Sequence, residues 1–260
     1  MAESLRAALL ISGGGTTAQE VIKATRDGRL NGIVPTVVIA SNTKAGGIER
    51  AKRLNVKIEI RRPRDFKSSE AFGESLLEMF IAENIDVIGQ LGWLAWTPNN
   101  VLDKYKGRIF NQHSGPLDGK RPGFGGEGMY GLRVHLALLA FAWISGIPIQ
   151  TEATTHHAIK EVDEGEIIRR LPLDISGFMD RATEEELKSD PIKQQQLVDA
   201  AKNLQATLLP IEHRNVINTF RDFVSGSISV FKRTTPLIAV RDLPTLAAAK
   251  QLAVQMSKNL

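Results

Sequence analysis

The sequence predicts an α/β protein: a Rossmann-like, mainly parallel twisted sheet flanked by helices, with a further helix appended at the carboxyl terminus. Two observations carry this expectation. Short apolar runs alternate with helical patterns through the first half of the chain, the signature of βαβ units. The first of those runs ends in Gly13-Gly14-Gly15, a turn of the kind that joins a strand to a helix in such units.

Taken in order, Ala7–Ile11 reads as a buried strand, and the helix after the glycine turn carries Ala18, Val21, Ile22 and Ala24. Pro35–Ala40 makes a second strand and Gly47–Leu54 a second helix. Val56–Ile60 is a third strand, leading through Arg61-Arg62-Pro63-Arg64 to a helix over Ser69–Asn84. In that helix Phe72, Leu76, Leu77, Phe80 and Ile81 fall at helical spacing, which predicts a core face. Asp86–Leu91 and Arg108–Asn111 are further strands, separated by a short helix that starts near Pro98.

The second half has a different texture. Gly115–Gly131 is crowded with glycine and reads as a long loop over a site. A helix over Leu132–Ser145 follows, and Ile149–Ala158 and Glu166–Pro172 read as an antiparallel pair joined across Glu161–Gly165. Thr183-Glu184-Glu185-Glu186 has the capping-box form of a helix start. Leu197, Ala201, Leu204 and Leu208 share one helical face, and the last helix runs from Leu243 to about Met256. With no repeat or low-complexity linker, the expectation is one domain over 1–260, with lobes 1–114 and 115–233 and an extension over 234–260.

Composition narrows the function classes. The chain has 260 residues, 42% hydrophobic and 24% charged, ordinary values for a globular protein long enough to bury a substantial core. The absence of cysteine excludes disulfides and thiolate metal sites, and the five histidines form no HExxH-type metal pair. A net charge of +4 suits an anionic small molecule and falls short of the dense basic stripe of a nucleic-acid binder. The amino terminus lacks a signal-peptide layout, and Val134–Ile149 is short for a membrane span, so a cytoplasmic protein without membrane or nucleic-acid partners is expected.

Ser12-Gly13-Gly14-Gly15-Thr16-Thr17 would let backbone amides at a helix start approach a phosphate. Gly13-x-Gly15-x-x-Ala18 also fits a dinucleotide fingerprint, but the second strand ends in Ala40-Ser41-Asn42 rather than an acidic residue, which argues against NAD. A triphosphate P-loop is excluded because no Gly-Lys-Ser/Thr follows. A monophosphate cradle and a plain tight turn remain.

Asn111-Gln112-His113 sits where the fifth strand ends. Side chains two apart on an extended segment face the same way, so an amide and an imidazole can address one atom. Together they suit acyl transfer: the amide or the imidazolium stabilises an oxyanion, and the imidazole moves a proton near neutral pH. Asp163 is the candidate carboxylate to hold that histidine, against the alternative of a polar loop in which His and Asp merely cap.

The phosphate-type turn, Ser41-Asn42 after the second strand, the Asn-x-His after the fifth, and the spacing Thr151…His156…Asp163 occur in one order. Together they resemble the phosphoribosylglycinamide formyltransferase family of purine synthesis, over about Ala8–Ile168 and again over Leu208–Ile228. The resemblance implies the formyltransferase fold, with 1–114 as the phosphate-binding lobe and 115–233 as the folate and catalytic-loop lobe. It implies Asn111, His113 and Asp163 as the catalytic group, and Gly13, Gly14, Gly15, Thr16 and Thr17 on the phosphate of glycinamide ribonucleotide. His156 matches a family histidine, and Glu212 matches a glutamate on the sugar or amine side of the nucleotide. The folate would lie against Leu94, Ala95, Trp96 and Thr97, with Leu102 and the loop of Ile159, Lys160, Glu161 and Val162. The implied reaction moves a formyl group from 10-formyltetrahydrofolate, as cosubstrate, to an amine, with no metal and no covalent enzyme intermediate; a homodimer is left open.

The chain departs from the family pattern in places. Ser114-Gly115-Pro116-Leu117-Asp118 stands where Pro-Ser-Leu-Leu-Pro is usual, and a longer glycine-rich loop follows. Ser69 replaces a phosphate-contacting arginine, with Arg64 or Lys67 as candidate substitutes, and Ala95 replaces an arginine beside the folate, next to Trp96. His135 is either a substrate-side histidine or a buried helix residue, and the stretch from Thr234 has no counterpart. Competing activities are formylation of an amino-sugar nucleotide or of methionyl-tRNA, and hydrolysis of the formyl folate. Hydrolases generally carry an amino-terminal regulatory domain, whereas this chain begins at the first strand. A non-catalytic folate or phosphate binder would need no proton-moving histidine.

Overall fold

The computed structural model describes residues 4–259. Elements follow in the order β1 (Leu5–Ile11), α1 (Thr16–Arg26), β2 (Ile33–Ala40), α2 (Gly47–Arg53), β3 (Lys57–Ile60), α3 (Ser69–Ala82), β4 (Val87–Gln90), α4 (Asn99–Lys104) and β5 (Ile109–His113). Then come α5 (Leu132–Ser145), β6 (Thr151–His157), β7 (Ile167–Leu173), α6 (Glu184–Ser189), α7 (Pro191–Ser225) and α8 (Leu243–Met256). The strand order across the sheet is β3-β2-β1-β4-β5-β6-β7. Two compact units divide the chain: one runs up to Gln112 and includes Thr155–Glu161 and His213–Ser229, and the other holds His113–Thr154, Val162–Glu212 and the chain from Val230 onward.

In the first unit β1 pairs in parallel with β2 and β4, β2 with β3, and β4 with β5. Both faces of such strands are covered by helices, so they read as continuous apolar runs; Ala7 to Ile11 and Val37 to Ala40 are all fully buried. The strand order reverses between β1 and β4, and in open parallel sheets that switch point opens a crevice at the strand carboxyl ends. The register brings those ends level: Leu10 pairs with Gln90, and Gln90 with Asn111. Helix α3 is capped by Ser68, whose side chain accepts from the Ala71 amide, and it buries Phe72, Leu76, Met79 and Phe80. Ile81, assigned to that face by its spacing, is instead 62% exposed. At 100° per residue it lies one step past Phe80, beyond the edge of the stripe.

The second unit is organised around α5, in which every residue from Val134 to Trp143 is buried. A helix apolar on all sides must be enclosed, and here Leu246, Ala249, Leu252 and Ala253 of α8 join the same cluster, with Leu187 of α6 and Leu197, Ala201 and Leu204 of α7. The appended helix is thus part of a core rather than an ornament on it. Burying each such Leu contributes about 1.5–3 kcal/mol. Thr183 and Glu186 form the expected capping box at the start of α6. A buried carboxylate, Glu152, is held by Arg170 at 2.6 Å and by Arg233.

Candidate active site

The glycine turn leaves β1 at the switch point, and Gly15 caps α1 with φ 67° and no side-chain cap. Neighbours satisfy the turn's carbonyls: Asn42 Nδ2 donates to Ser12 O at 2.8 Å, Gly47 N to Gly13 O at 3.1 Å, and Arg50 Nε to Gly14 O at 3.0 Å. A Cβ at Gly13 or Gly14 would meet no protein atom within 4 Å, so it is not packing that demands glycine there. Gly15 differs, because its φ lies in the left-handed region and a Cβ would come within 2.6 Å of Gly47 Cα. Gly15→Ala should lower stability by about 2 kcal/mol or more, from left-handed strain plus a backbone collision. Urea denaturation checks this, and an unchanged midpoint would show that the turn yields freely.

Beside the turn, Asn42, Lys44, Arg62 and Arg64 line a cleft of about 500 Å³. Lys44 and Arg64 are exposed and Arg62 is half-buried, so three cationic side chains converge at the carboxyl ends of β2 and β3.

Leu94 to Thr97 follow β4 on the other side of the switch point, and the Leu94 amide donates to Ser12 Oγ at 2.7 Å. Thr97 Oγ1 accepts from Gln90 Nε2 at 2.7 Å and from Trp93 Nε1 at 3.2 Å, which fixes the segment's course. Trp96, set beside the folate by the family resemblance, is 62% exposed; Leu94 and Ile159 are 55% and 40% exposed. Ala95 packs against the core of the first unit, Leu102 belongs to that core, and Lys160 and Glu161 are exposed.

Asn111 and His113 end β5, on the same side of an extended backbone. In the first unit Asn111 Nδ2 lies 3.1 Å from His156 Nε2, while His156 Nδ1 lies 3.0 Å from the His157 carbonyl. A carbonyl only accepts, so Nδ1 carries the proton and Nε2 is the acceptor for the Asn111 amide. In the second unit His113 is 5% exposed, with Nδ1 3.5 Å from Asp163 Oδ2 and Nε2 3.2 Å from the Phe124 carbonyl. Both ring nitrogens face acceptors, an arrangement that an imidazolium with two N–H groups satisfies at once.

Asp163 stands at φ 59°, a left-handed conformation for a non-glycine residue, and accepts from the Gly126 amide at 2.9 Å. Such backbone persists where its surroundings enforce it and clusters at functional sites. Val162, beside it, is half-buried.

Glu212 and His135 are also buried in the second unit. Glu212 is 8% exposed, and burial pushes its carboxyl up to about 7 against the opposing hydrogen bond from Ser114. His135 is 1% exposed in α5 and neither ring nitrogen has a partner. Burial, with the charge of His113 adding to it, lowers its pKa to about 4. The sequence left His135 open between substrate-side and buried; it is buried. Among the described residues no group of three His, Asp or Glu side chains could hold a metal ion, and no helix is long and apolar enough to cross a membrane.

The parallel sheet, the glycine turn that leaves β1 and the Asn-x-His that ends β5, two strands away, fit a group-transfer enzyme of the formyl type. The chain belongs to the formyl transferase family, whose model matches residues 5–200. Within it, the chain is similar to the chloroplastic phosphoribosylglycinamide formyltransferase of Arabidopsis thaliana, 30% identical over 164 residues, which are 62% of this chain and 52% of that one. The corresponding protein of Vigna unguiculata is 25% identical over 239 residues, 91% of this chain and 66% of that one. The chain therefore spans between half and two thirds of the length of these two relatives. Among solved structures, glycinamide ribonucleotide transformylase 1 from Symbiobacterium toebii superposes with a TM-score of 0.68 at 26% identity, over 86% of this chain and 89% of that one. The phosphoribosylglycinamide formyltransferase of Brucella melitensis shares the fold, with a TM-score of 0.65 at 22% identity, over 88% of this chain and all of that one.

Proposed function

We propose that the protein transfers a formyl group from 10-formyltetrahydrofolate to the amine of glycinamide ribonucleotide, a step of purine biosynthesis. The observation that carries the reading is the pairing of His113 with Asp163 at 3.5 Å, in a formyl transferase chain whose Asn111 shares the strand face of His113. The amine nitrogen attacks the formyl carbon, and the carbonyl oxygen becomes an oxyanion held by N–H groups of Asn111 and His113. To serve it, the His113 Nε2 proton leaves the Phe124 carbonyl for the oxyanion. Collapse breaks the bond from the formyl carbon to the folate nitrogen. The proton lost by the amine reaches that nitrogen through water ordered by Asp163, giving the formylated nucleotide and tetrahydrofolate.

The substrate phosphate would sit on the amides of Gly13–Thr17, with charge supplied by Lys44, Arg62 and Arg64 in place of the arginine that Ser69 replaces. Glu212 would meet the amine or sugar side of the nucleotide. The exposed faces of Leu94, Trp96 and Ile159 suit a planar pterin, which gains by leaving water against apolar and aromatic surface.

Absorbance of the folate product, followed with and without glycinamide ribonucleotide, tests the reading. Product is expected only when the nucleotide is present. Folate consumption without an amine would identify a hydrolase, and turnover only with an amino-sugar nucleotide would assign the enlarged loop to a different substrate.

A further inference from the structure

We propose that Lys250, on the appended helix α8, is a positioning residue for the Asp163–His113 pair, acting through a single peptide group of the glycine-rich loop. The inference rests on the catalytic reading of that pair. Lys250 Nζ donates to the Gly125 carbonyl at 2.7 Å, and the Gly126 amide donates to Asp163 Oδ2 at 2.9 Å. That C=O and that N–H belong to the same peptide bond, which is planar and does not let one end move without the other. The preceding carbonyl, of Phe124, is the one that lies 3.2 Å from His113 Nε2. Three consecutive residues thus connect the ammonium of Lys250 to both members of the pair.

The charge also acts through the peptide. An ammonium on the carbonyl polarises the amide and strengthens its N–H as a donor to the carboxylate. The loop has little slack to move elsewhere: a Cβ at Gly125 would come within 2.4 Å of Leu117 Cδ2 and 2.8 Å of Asp163 Cβ. The rest of α8 docks by apolar contact, through Leu246, Ala249, Leu252 and Ala253, which by itself calls for no lysine. Partial burial works against the charge on Lys250, and Asp163 works in its favour.

The test compares Lys250→Met, Lys250→Gln and Lys250→Arg with Ser257→Ala, which cuts another clasp of the tail, the 2.7 Å bond from Arg133 Nε to Ser257 Oγ. Lys250→Met should lower kcat about 10- to 100-fold with KM for both substrates within about twofold, because geometry rather than binding is lost. Lys250→Arg should restore most of the rate, and Ser257→Ala should keep it. Hydrogen exchange at the Gly126 amide should quicken in Lys250→Met, and if that variant does not fold, Lys250→Gln carries the same comparison. Unchanged kcat and unchanged Gly126 exchange would overturn the proposal, as would an equal loss in Ser257→Ala, which would reduce the effect to docking of the tail. If the wild type formylates no amine, the functional reading fails, while Gly126 exchange still decides the positioning role.

Discussion

Asn111→Ala should lower formyl-transfer turnover about 100- to 1000-fold, the cost of removing one oxyanion donor. Position 111 pairs with Gln90 at the carboxyl end of the parallel sheet, so the alanine variant keeps its backbone hydrogen bonds and its place. What disappears is an N–H donor, together with the 3.1 Å contact to His156, and one such contact accounts for only about 1 kcal/mol of stability. The effect should therefore fall on kcat, with KM nearly constant, because under the proposed mechanism the donor would meet charge that develops only in the transition state. Asp163→Asn should fall as far by a different route: the amide keeps an oxygen for the Gly126 N–H but no longer offers the histidine a negative partner. The losses should not add in the double variant, since the proposed mechanism has both residues serve one step. Near-normal rates in both single variants would remove these residues from the catalytic group.

Much of this molecule is legible in its sequence for reasons that are local. Ala7–Ile11 and Val37–Ala40 are buried on both faces, so unbroken apolar runs announce them, and the Thr183–Glu186 box needs only four residues to declare a helix start. The bounds of Leu132–Ser145 and Leu243–Met256 are legible because glycines flank the first and Pro244 opens the second. The 35-residue span of α7 was not legible, since Pro210 within it normally argues for a break. Asn111, His113 and Asp163 could be picked out as polar residues at strand ends and turns. Their environment could not: the left-handed backbone of Asp163, the Phe124 carbonyl against His113 and the reach of Lys250 to Gly125 come from tertiary contacts among residues up to 125 positions apart. The 62% exposure of Trp96 belongs with them, because spacing alone does not separate an exposed tryptophan from a core one.

The other large expected effect concerns stability and has opposite signs at two residues. Glu212 has a folded-state pKa of about 7 against an ordinary value of 4.5, so the folded protein binds its proton more tightly than the unfolded chain. Its favourable contribution is complete below about pH 4.5 and is lost as pH rises through 7, a difference of about 3 kcal/mol. Glu212→Gln keeps the neutral shape and an oxygen for Ser114, so it should match the wild type near pH 4 and exceed it by about 3 kcal/mol near pH 8. His135 runs the other way: its pKa falls from 6.5 to about 4, so its contribution is present above 6.5 and is lost as pH falls through 4. Between about 4.5 and 6.5 the two slopes oppose, and the wild-type curve is flatter than either group alone would make it. Glu212→Gln should unmask the rise with pH due to His135, and His135→Leu should unmask the fall due to Glu212. Urea denaturation of the three proteins from pH 4 to 8 reads both differences; a gain in Glu212→Gln that is equal at the two ends would show that ionisation of Glu212 is not its source. A chain that keeps a carboxylate at this cost, when glutamine would be more stable near neutral pH, is expected to need the charge. The same variant should therefore bind glycinamide ribonucleotide more weakly while it unfolds less readily, a trade of stability for function at one side chain.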